Sequence, residues 1–322
     1  LKGFNVAFFD MPLEQLRKYK SPDPEPADFD SFWRQTLKET ASYDLDAAFE
    51  AVDDDAYKLV DAYDVTFGGF GGQRIKGWFI EPAGNKEHLP CVVSYLGYTG
   101  GRGLPLDHLQ FAMAGFSQLV MDTRGQGGQT PDDGASGPQV GGFMTRGIES
   151  PQRYYYRRLF ADAARAVDAA ASHPRVDARR IAVTGGSQGG GLAIAAAGLA
   201  GKKVKLCLPD VPFLCHYRRA VAIVDTHPYF EITSYLKNHR QAKKTVFDTL
   251  AYCDGVNLAK RITAKSFFSL GLMDTCCPPS TIFAAYNNIK AKKDIRVYDY
   301  NNHEGGGSLH GLEKLRFLRE NL

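Results

Sequence analysis

Three side chains that can perform acyl transfer together occur at Ser187, Asp274 and His303, in that chain order. A serine hydroxyl is a weak nucleophile at neutral pH. It needs an imidazole to take its proton, and the imidazole needs a carboxylate to hold its tautomer and stabilise its charged form. Ser187 sits in Gly185-Gly186-Ser187-Gln188-Gly189, which fits Gly-x-Ser-x-Gly, a strained turn that lifts the hydroxyl above the end of a strand. The flanks agree: Ile181-Ala182-Val183-Thr184 reads as a buried strand and Leu192-Ala193-Ile194-Ala195-Ala196-Ala197 as a helix. A developing alkoxide also needs donors aimed at it beforehand. The backbone N–H groups of Gln188, at the positive end of that helix, and of Tyr95, at the end of an upstream strand, are the candidates. Asp210 competes with Asp274 as the acid, since it too ends a strand ahead of His303. Asp274 is favoured because Asp210 lies between Pro209 and Pro212 and opens an insertion.

These residues need a scaffold that gathers them at one rim. Cys91 to Leu96, Ser117 to Asp122, Lys203 to Leu208, Ser266 to Leu272 and Asp294 to Tyr300 are apolar runs of strand length, and helical patterns fall between them. That alternation predicts an α/β protein with a mainly parallel, doubly wound sheet, and serine, acid, histidine is the α/β-hydrolase order. Ligands in such sheets bind outside the carboxyl ends of the strands, where all three residues fall. Ala62 to Phe67 and Gln73 to Ile80 read as an antiparallel hairpin at the sheet edge. Ser150-Pro151 predicts the start of a helix whose buried stripe runs through Leu159, Phe160, Ala163 and Val167. The reading is one domain over 1–322, with a helical N-terminal extension over 1–55 and a helical insertion over 213–260 beside the site. The loop from Gly128 to Gly147 is long enough to serve function or a subunit contact.

Composition narrows the function. Of 322 residues 44% are hydrophobic and 23% charged, with net charge +3, so one large core is available and no basic face favours nucleic acid. No apolar run is long enough to span a bilayer, and Leu1 to Asp10 lacks a basic-then-apolar signal pattern, which reads as a cytoplasmic protein. The six cysteines lack metal-ligand spacing and read as buried thiols, without disulfides. Gly97 to Gly103 fits neither a dinucleotide fingerprint nor a phosphate loop, and no His-Glu-x-x-His helix occurs, so neither cofactor nor catalytic metal is expected. His216, His227, His239 and His310 read as surface or capping residues. Tyr95, Pro212 and Phe213 are candidate walls of a small acyl pocket, and Arg124 and Gln126 candidate braces of its floor. A serine peptidase of the prolyl-oligopeptidase type and a non-catalytic binding module are rival readings. The first normally brings a propeller, for which no blade repeats occur here; the second has no need of an ordered triad.

Together, Tyr95-Leu96-Gly97-Tyr98 with Gly100-Gly101-Arg102-Gly103, Arg124-Gly125-Gln126, the Ser187 motif, Gly271-Leu272-Met273-Asp274 and His303-Glu304 resemble the acetyl xylan esterase and cephalosporin C deacetylase family, carbohydrate esterase family 7. The similarity covers nearly the whole chain, including Val211 to His216 and Asp225 to Pro228. It implies a metal-free serine esterase that deacetylates short xylo-oligosaccharides and cephalosporin C, with triad Ser187, Asp274 and His303 and oxyanion donors Tyr95 and Gln188. It also implies acetyl transfer to hydrogen peroxide and a homohexamer with active sites facing an internal cavity. The stretch from Gly128 to Gly142 is shorter than the family's usual interface loop.

Overall fold

The computed structural model describes residues 8–134, 137 and 141–322. Part of the loop from Gly128 to Gly147 therefore lies outside the described residues. The strands are β1 (Ala48–Ala51), β2 (Val60–Gly68), β3 (Arg74–Pro82), β4 (Leu89–Tyr95), β5 (Ser117–Met121), β6 (Val176–Gly186), β7 (Leu206–Asp210), β8 (Lys265–Gly271) and β9 (Lys293–Tyr298). The helices are α1 (Leu13–Leu16), α2 (Phe29–Ala41), α3 (Gln110–Met113), α4 (Tyr155–Ser172), α5 (Gln188–Ala200), α6 (Tyr217–Ile223), α7 (Phe230–Asn238), α8 (Lys243–Tyr252), α9 (Gly255–Ala259), α10 (Pro279–Asn288) and α11 (Gly307–Asn321). All the strands join one sheet in the order β1-β2-β3-β5-β4-β6-β7-β8-β9. Pairing is antiparallel from β1 to β5 and parallel from β5 through β9.

The central strands are apolar at consecutive positions because both faces are covered. Cys91, Val93, Ile181, Val183 and Cys207 join the cluster under α4 and α5, while their neighbours Val92, Ala182, Leu206 and Leu208 pack with Phe111 and Leu318 on the opposite side. Helix α4 is buried over most of its circumference, because α2 lies outside it: Trp33 stacks on Phe160 with centroids 6.0 Å apart, and its Nε1 donates to Tyr252 O at 2.8 Å. The aromatic residues of the N-terminal extension thus seal α4 and tie it to α8. Among the described residues no helix is long and apolar enough to cross a membrane.

Three local readings change. The extension is not wholly helical, since Ala48–Ala51 adds an edge strand on β2. Its alanine-rich sequence carries little strand propensity; cross-strand pairing and the packing of Phe49 on Phe79 and His173 decide it. Helix α4 begins at Tyr155, because Ser150 O accepts from Arg153 and Tyr154 N–H at 3.1 and 3.0 Å in a separate turn and Tyr154 is extended. His216 and His310, read as surface residues, are both buried. Tyr19 Oη lies 2.9 Å from His216 Nε2, and His310 stacks on Phe267 beside Asp210.

Candidate active site

Ser187 joins β6 to α5 at φ 57°, ψ −120°, a conformation that costs a residue with a β-carbon on the order of 1–3 kcal/mol. The surroundings hold it there. Its N–H donates to Asp210 O at 3.0 Å, and its carbonyl accepts from Gly191 and Phe213 N–H at 3.1 and 3.0 Å. The glycine on its far side has a steric cause: a Cβ on Gly189 would collide with the Tyr95 carbonyl, and one on Gly185 would lie 2.6 Å from the same oxygen. The end of β4 is therefore pressed against the turn.

Gln188 is the first residue of α5, so its N–H is among those that the helix itself leaves unpartnered. Its buried side chain pairs with that of Gln126, Nε2 to Oε1 at 3.0 Å and Oε1 from Nε2 at 2.9 Å. Gln126 Oε1 also accepts from Thr99 N–H at 2.7 Å, and Gln188 Nε2 donates to Gly97 O at 3.2 Å. The amide pair fixes the spacing between the loop after β4 and the turn, which are the two segments expected to supply oxyanion donors. Arg124 lies deeper. Its guanidinium grips Asp162 at 2.5 and 2.7 Å, with both side chains buried, and donates to Phe70 O. Gln126 and Arg124 thus tie the loop after β5 to the Ser187 turn and to α4. Removing one member of a buried pair leaves an uncompensated charge, so Arg124→Ala should lose about 3–5 kcal/mol. Urea unfolding measures it, and a loss near zero would contradict the brace.

The other end of the rim is built by two stitched loops. His303 Nδ1 lies 2.9 Å from Asp274 Oδ2, with Asp274 fully buried. Asp274 Oδ1 accepts from Cys276 and Cys277 N–H at 2.9 and 2.8 Å, which fixes the carboxylate. Met273 N–H donates to Asn301 O at 3.1 Å and Thr275 N–H to Asn302 Oδ1 at 3.2 Å, binding the loop after β8 to that after β9. Glu304, exposed, closes the second loop by accepting from Asn301 Nδ2 at 2.8 Å and Asn302 N–H at 3.1 Å. A Cβ on Gly305 would collide with Val211, so the histidine loop rests on the segment that continues to Phe213 and the Ser187 carbonyl. Asp210 takes no part in this arrangement. It is held by Lys314 and by His310 Nε2 at 3.0 Å; burial pushes its carboxyl up, yet the Lys314 charge and the hydrogen bonds from these two side chains keep it below the usual range.

The family model for acetyl xylan esterase matches residues 6–321. The chain belongs to the acetyl xylan esterase family. Among solved structures, it resembles an acetyl xylan esterase from Paenibacillus sp. R4, with TM-score 0.94, 43% identity, and 97% of this chain and 100% of that one covered. It also resembles acetyl xylan esterase 1 from Thermoanaerobacterium sp. JW/SL YS485, with TM-score 0.90, 37% identity, and 96% and 99% covered. Acetyl esterase Axe7A of Xylanibacter ruminicola is 28% identical over 92% of this chain and 70% of its own length. An acylaminoacyl peptidase from Pyrococcus horikoshii shares 16% identity at TM-score 0.62, covering 83% of this chain and 42% of its own, which is a likeness of fold alone. The protein is an α/β enzyme of carboxylic ester hydrolase type.

In this esterase the expected pocket walls are placed differently from the sequence reading. Tyr95 is buried, with its hydroxyl donating to Ala163 O at 2.7 Å, so its ring faces α4 and only its backbone meets the turn. Pro212 and Phe213 are buried too, Phe213 between Tyr98 and Tyr229. The half-buried aromatic is Tyr98. Its hydroxyl donates to Glu231 Oε1 at 2.7 Å and accepts from Phe143 N–H at 2.6 Å. Glu231 is a buried acid at the start of α7 that also accepts from Met144 N–H at 3.1 Å; burial raises its carboxyl pKa. It anchors the insertion to the loop after β4, and no motif in the sequence announces it. A cleft of about 540 Å³ opens beside the acid loop, lined by Phe9, Val224, Phe230 and Thr275 among others.

Cys276 and Cys277 bring thiols to the site. Among the described residues, their sulfurs and a ring nitrogen of His303 form the group with metal-ligand chemistry, all within 4.8 Å of one another. A cation held there would occupy one of the two ring nitrogens, and a triad base needs both, Nδ1 for Asp274 and the other to take a proton. Burial disfavours the charged imidazole, yet hydrogen bonds to Asp274 and the Cys276 thiol and their negative charge outweigh it, raising His303 to about 10. A base must be neutral, so kcat/KM should climb from neutral into alkaline pH. Cys276→Val should move that limb to lower pH. A limb already complete below the ordinary imidazole value of 6.5 would contradict the account.

Proposed function

We propose that this esterase removes acetyl groups from short acetylated carbohydrates, xylo-oligosaccharides foremost, and from cephalosporin C. His303 takes the Ser187 proton as Oγ attacks the acetyl carbonyl; the tetrahedral alkoxide is held by the Tyr95 and Gln188 backbone N–H groups. His303 returns the proton to the leaving sugar hydroxyl, which leaves acetyl on Ser187. Water, with its proton taken by the same imidazole, then releases acetate. Hydrogen peroxide in place of water gives peracetic acid. Asp274 orients the imidazole and stabilises its charged form. We extend the reading to a homohexamer in the cytoplasm; sedimentation of the purified chain tests the assembly.

The observation that carries this reading is the His303–Asp274 hydrogen bond at the carboxyl end of β8 and β9, in a chain of this family with a strained serine turn on β6. The buried aromatics around Tyr98 suit a small acyl group with a larger alcohol outside. One methylene is worth only about 1–3 kcal/mol in an apolar pocket, so strict acetyl selectivity requires steric closure. The test is kcat/KM on acetyl, butyryl and octanoyl esters, then on acetylated xylo-oligosaccharides and cephalosporin C, with and without peroxide. Acetyl esters should exceed octanoyl by at least about 100-fold. Equal rates on all three would rule out a closed acyl pocket.

A further inference from the structure

The hydrolytic sequence above uses no thiol, yet two thiols stand where the acid loop meets α10. Cys276 and Cys277 follow Asp274, and both their N–H groups serve its Oδ1. Of the six free cysteines five are buried, while Cys276 is half-buried. Its sulfur lies within 4.8 Å of both Cys277 Sγ and a ring nitrogen of His303.

We propose that Cys276 is a modification site of the active centre: a nucleophilic thiol that reacts with hydroperoxides and soft alkylating reagents and, once modified, takes His303 out of use. The proposal rests on His303 being the catalytic base. An imidazole beside a thiol accepts its proton and leaves a thiolate, the reactive form. The hydrogen bond from Cys277, working against burial, and the His303 imidazole lower the Cys276 thiol to about 5. Cys277 is fully buried and its thiol is pushed well up, so it stays protonated and unreactive until its neighbour is oxidised.

Oxidation balances without another reagent. The Cys276 thiolate attacks one peroxide oxygen; the S–O bond forms, the O–O bond breaks, and the alcohol or water leaves with the thiol proton. The sulfur becomes a sulfenic acid. The Cys277 thiol then attacks that sulfur, the S–S bond forms, and hydroxide leaves with the Cys277 proton as water. Two thiols are oxidised by two electrons and one peroxide is reduced. Neighbouring residues have Cα atoms closer than disulfides prefer, so this bridge is strained and readily reduced by an added thiol. Closing it also turns the peptide whose N–H holds Asp274 Oδ1, which disturbs the acid. An alkyl group on Cys276 acts more simply, by filling the space against the imidazole.

The test treats the full chain, without ester present, with iodoacetamide or hydrogen peroxide, and reads peptide mass alongside residual esterase activity. At pH about 6 a thiol at about 5 is ~300-fold more ionised than an ordinary thiol, while its lower basicity costs ~40-fold in nucleophilicity, so alkylation about eightfold faster than a small free thiol is expected. One label should appear on Cys276 as activity falls. Peroxide inactivation should be reversed by dithiothreitol. Cys276→Val should keep its own starting activity under both reagents, and Cys277→Ser should recover less, because the unpaired sulfenic acid oxidises further. Ser187→Ala should be labelled at Cys276 at the unmodified chain's rate, which separates this chemistry from the triad reading. A labelled Cys276 with full activity, a label elsewhere in inactivated protein, or a Cys276→Val chain as sensitive as the original would overturn the proposal.

Discussion

Ser187→Ala is expected to lower kcat on the order of 10⁵- to 10⁶-fold while the chain stays folded, because the imidazole and its carboxylate act only through the serine oxygen. The residual rate, from oxyanion donors and binding alone, should be about 10³- to 10⁴-fold above water. A companion variant separates chemistry from folding. Ser187 holds φ 57°, ψ −120°, which alanine must still adopt with its β-carbon and glycine adopts freely. Ser187→Gly should therefore be as inactive as Ser187→Ala yet more stable by about 1–3 kcal/mol in a thermal or denaturant scan. An alanine variant that keeps more than about a hundredth of kcat would mean that another group attacks the ester.

The second large effect distinguishes two acids. Asp274→Asn should cost about 10⁴-fold in kcat, because an amide favours the wrong imidazole tautomer without emptying the site. Asp210→Asn should spare kcat and lower stability. Its backbone still accepts from Ser187, but the nearly buried Lys314 ammonium loses its counter-charge, at a cost of about 3–5 kcal/mol. Measuring kcat and urea midpoints for both variants settles the assignment. Loss of turnover in Asp210→Asn with a normal midpoint would transfer the acid's role to position 210.

The sequence exposes those parts of the site that are local. The turn at Ser187 is legible because the glycines, the apolar run before it and the alanine-rich helix after it lie within about 20 residues, and strand ends at Asp274 and His303 follow from the same apolar runs. The changed periodicity from Phe213 to Lys260 coincides with α6 to α9, which lie between β7 and β8. What depends on distant partners is not. The Gln126–Gln188 pair and the burial of Glu231 require a loop, a turn and a helix to meet, and nothing in an isolated glutamine or glutamate marks that meeting. His216 and His310 look like surface residues because polarity is read as exposure. The Asp254 carboxylate that caps the His216 backbone at 2.7 Å, and the Asp210 carboxylate near His310, draw those segments inward. Cys276 is set apart from the other cysteines by the exposure that the turn into α10 gives it and by the His303 imidazole beside it, neither of which its own sequence marks.

The stitching of the loops after β8 and β9 has a dynamic consequence. Leu272, Met273 and Thr275 are tied across to Tyr298, Asn301 and Asn302, whereas Ser187 is tied to β7 through Asp210. Asp274 and His303 should consequently move as one body, so that breathing at that corner of the molecule would change their distance from Ser187 rather than from each other. A single tilt of the joined loops would idle turnover while leaving the ion pair whole, and amide exchange at 272, 273 and 275 would report that tilt as one concerted opening.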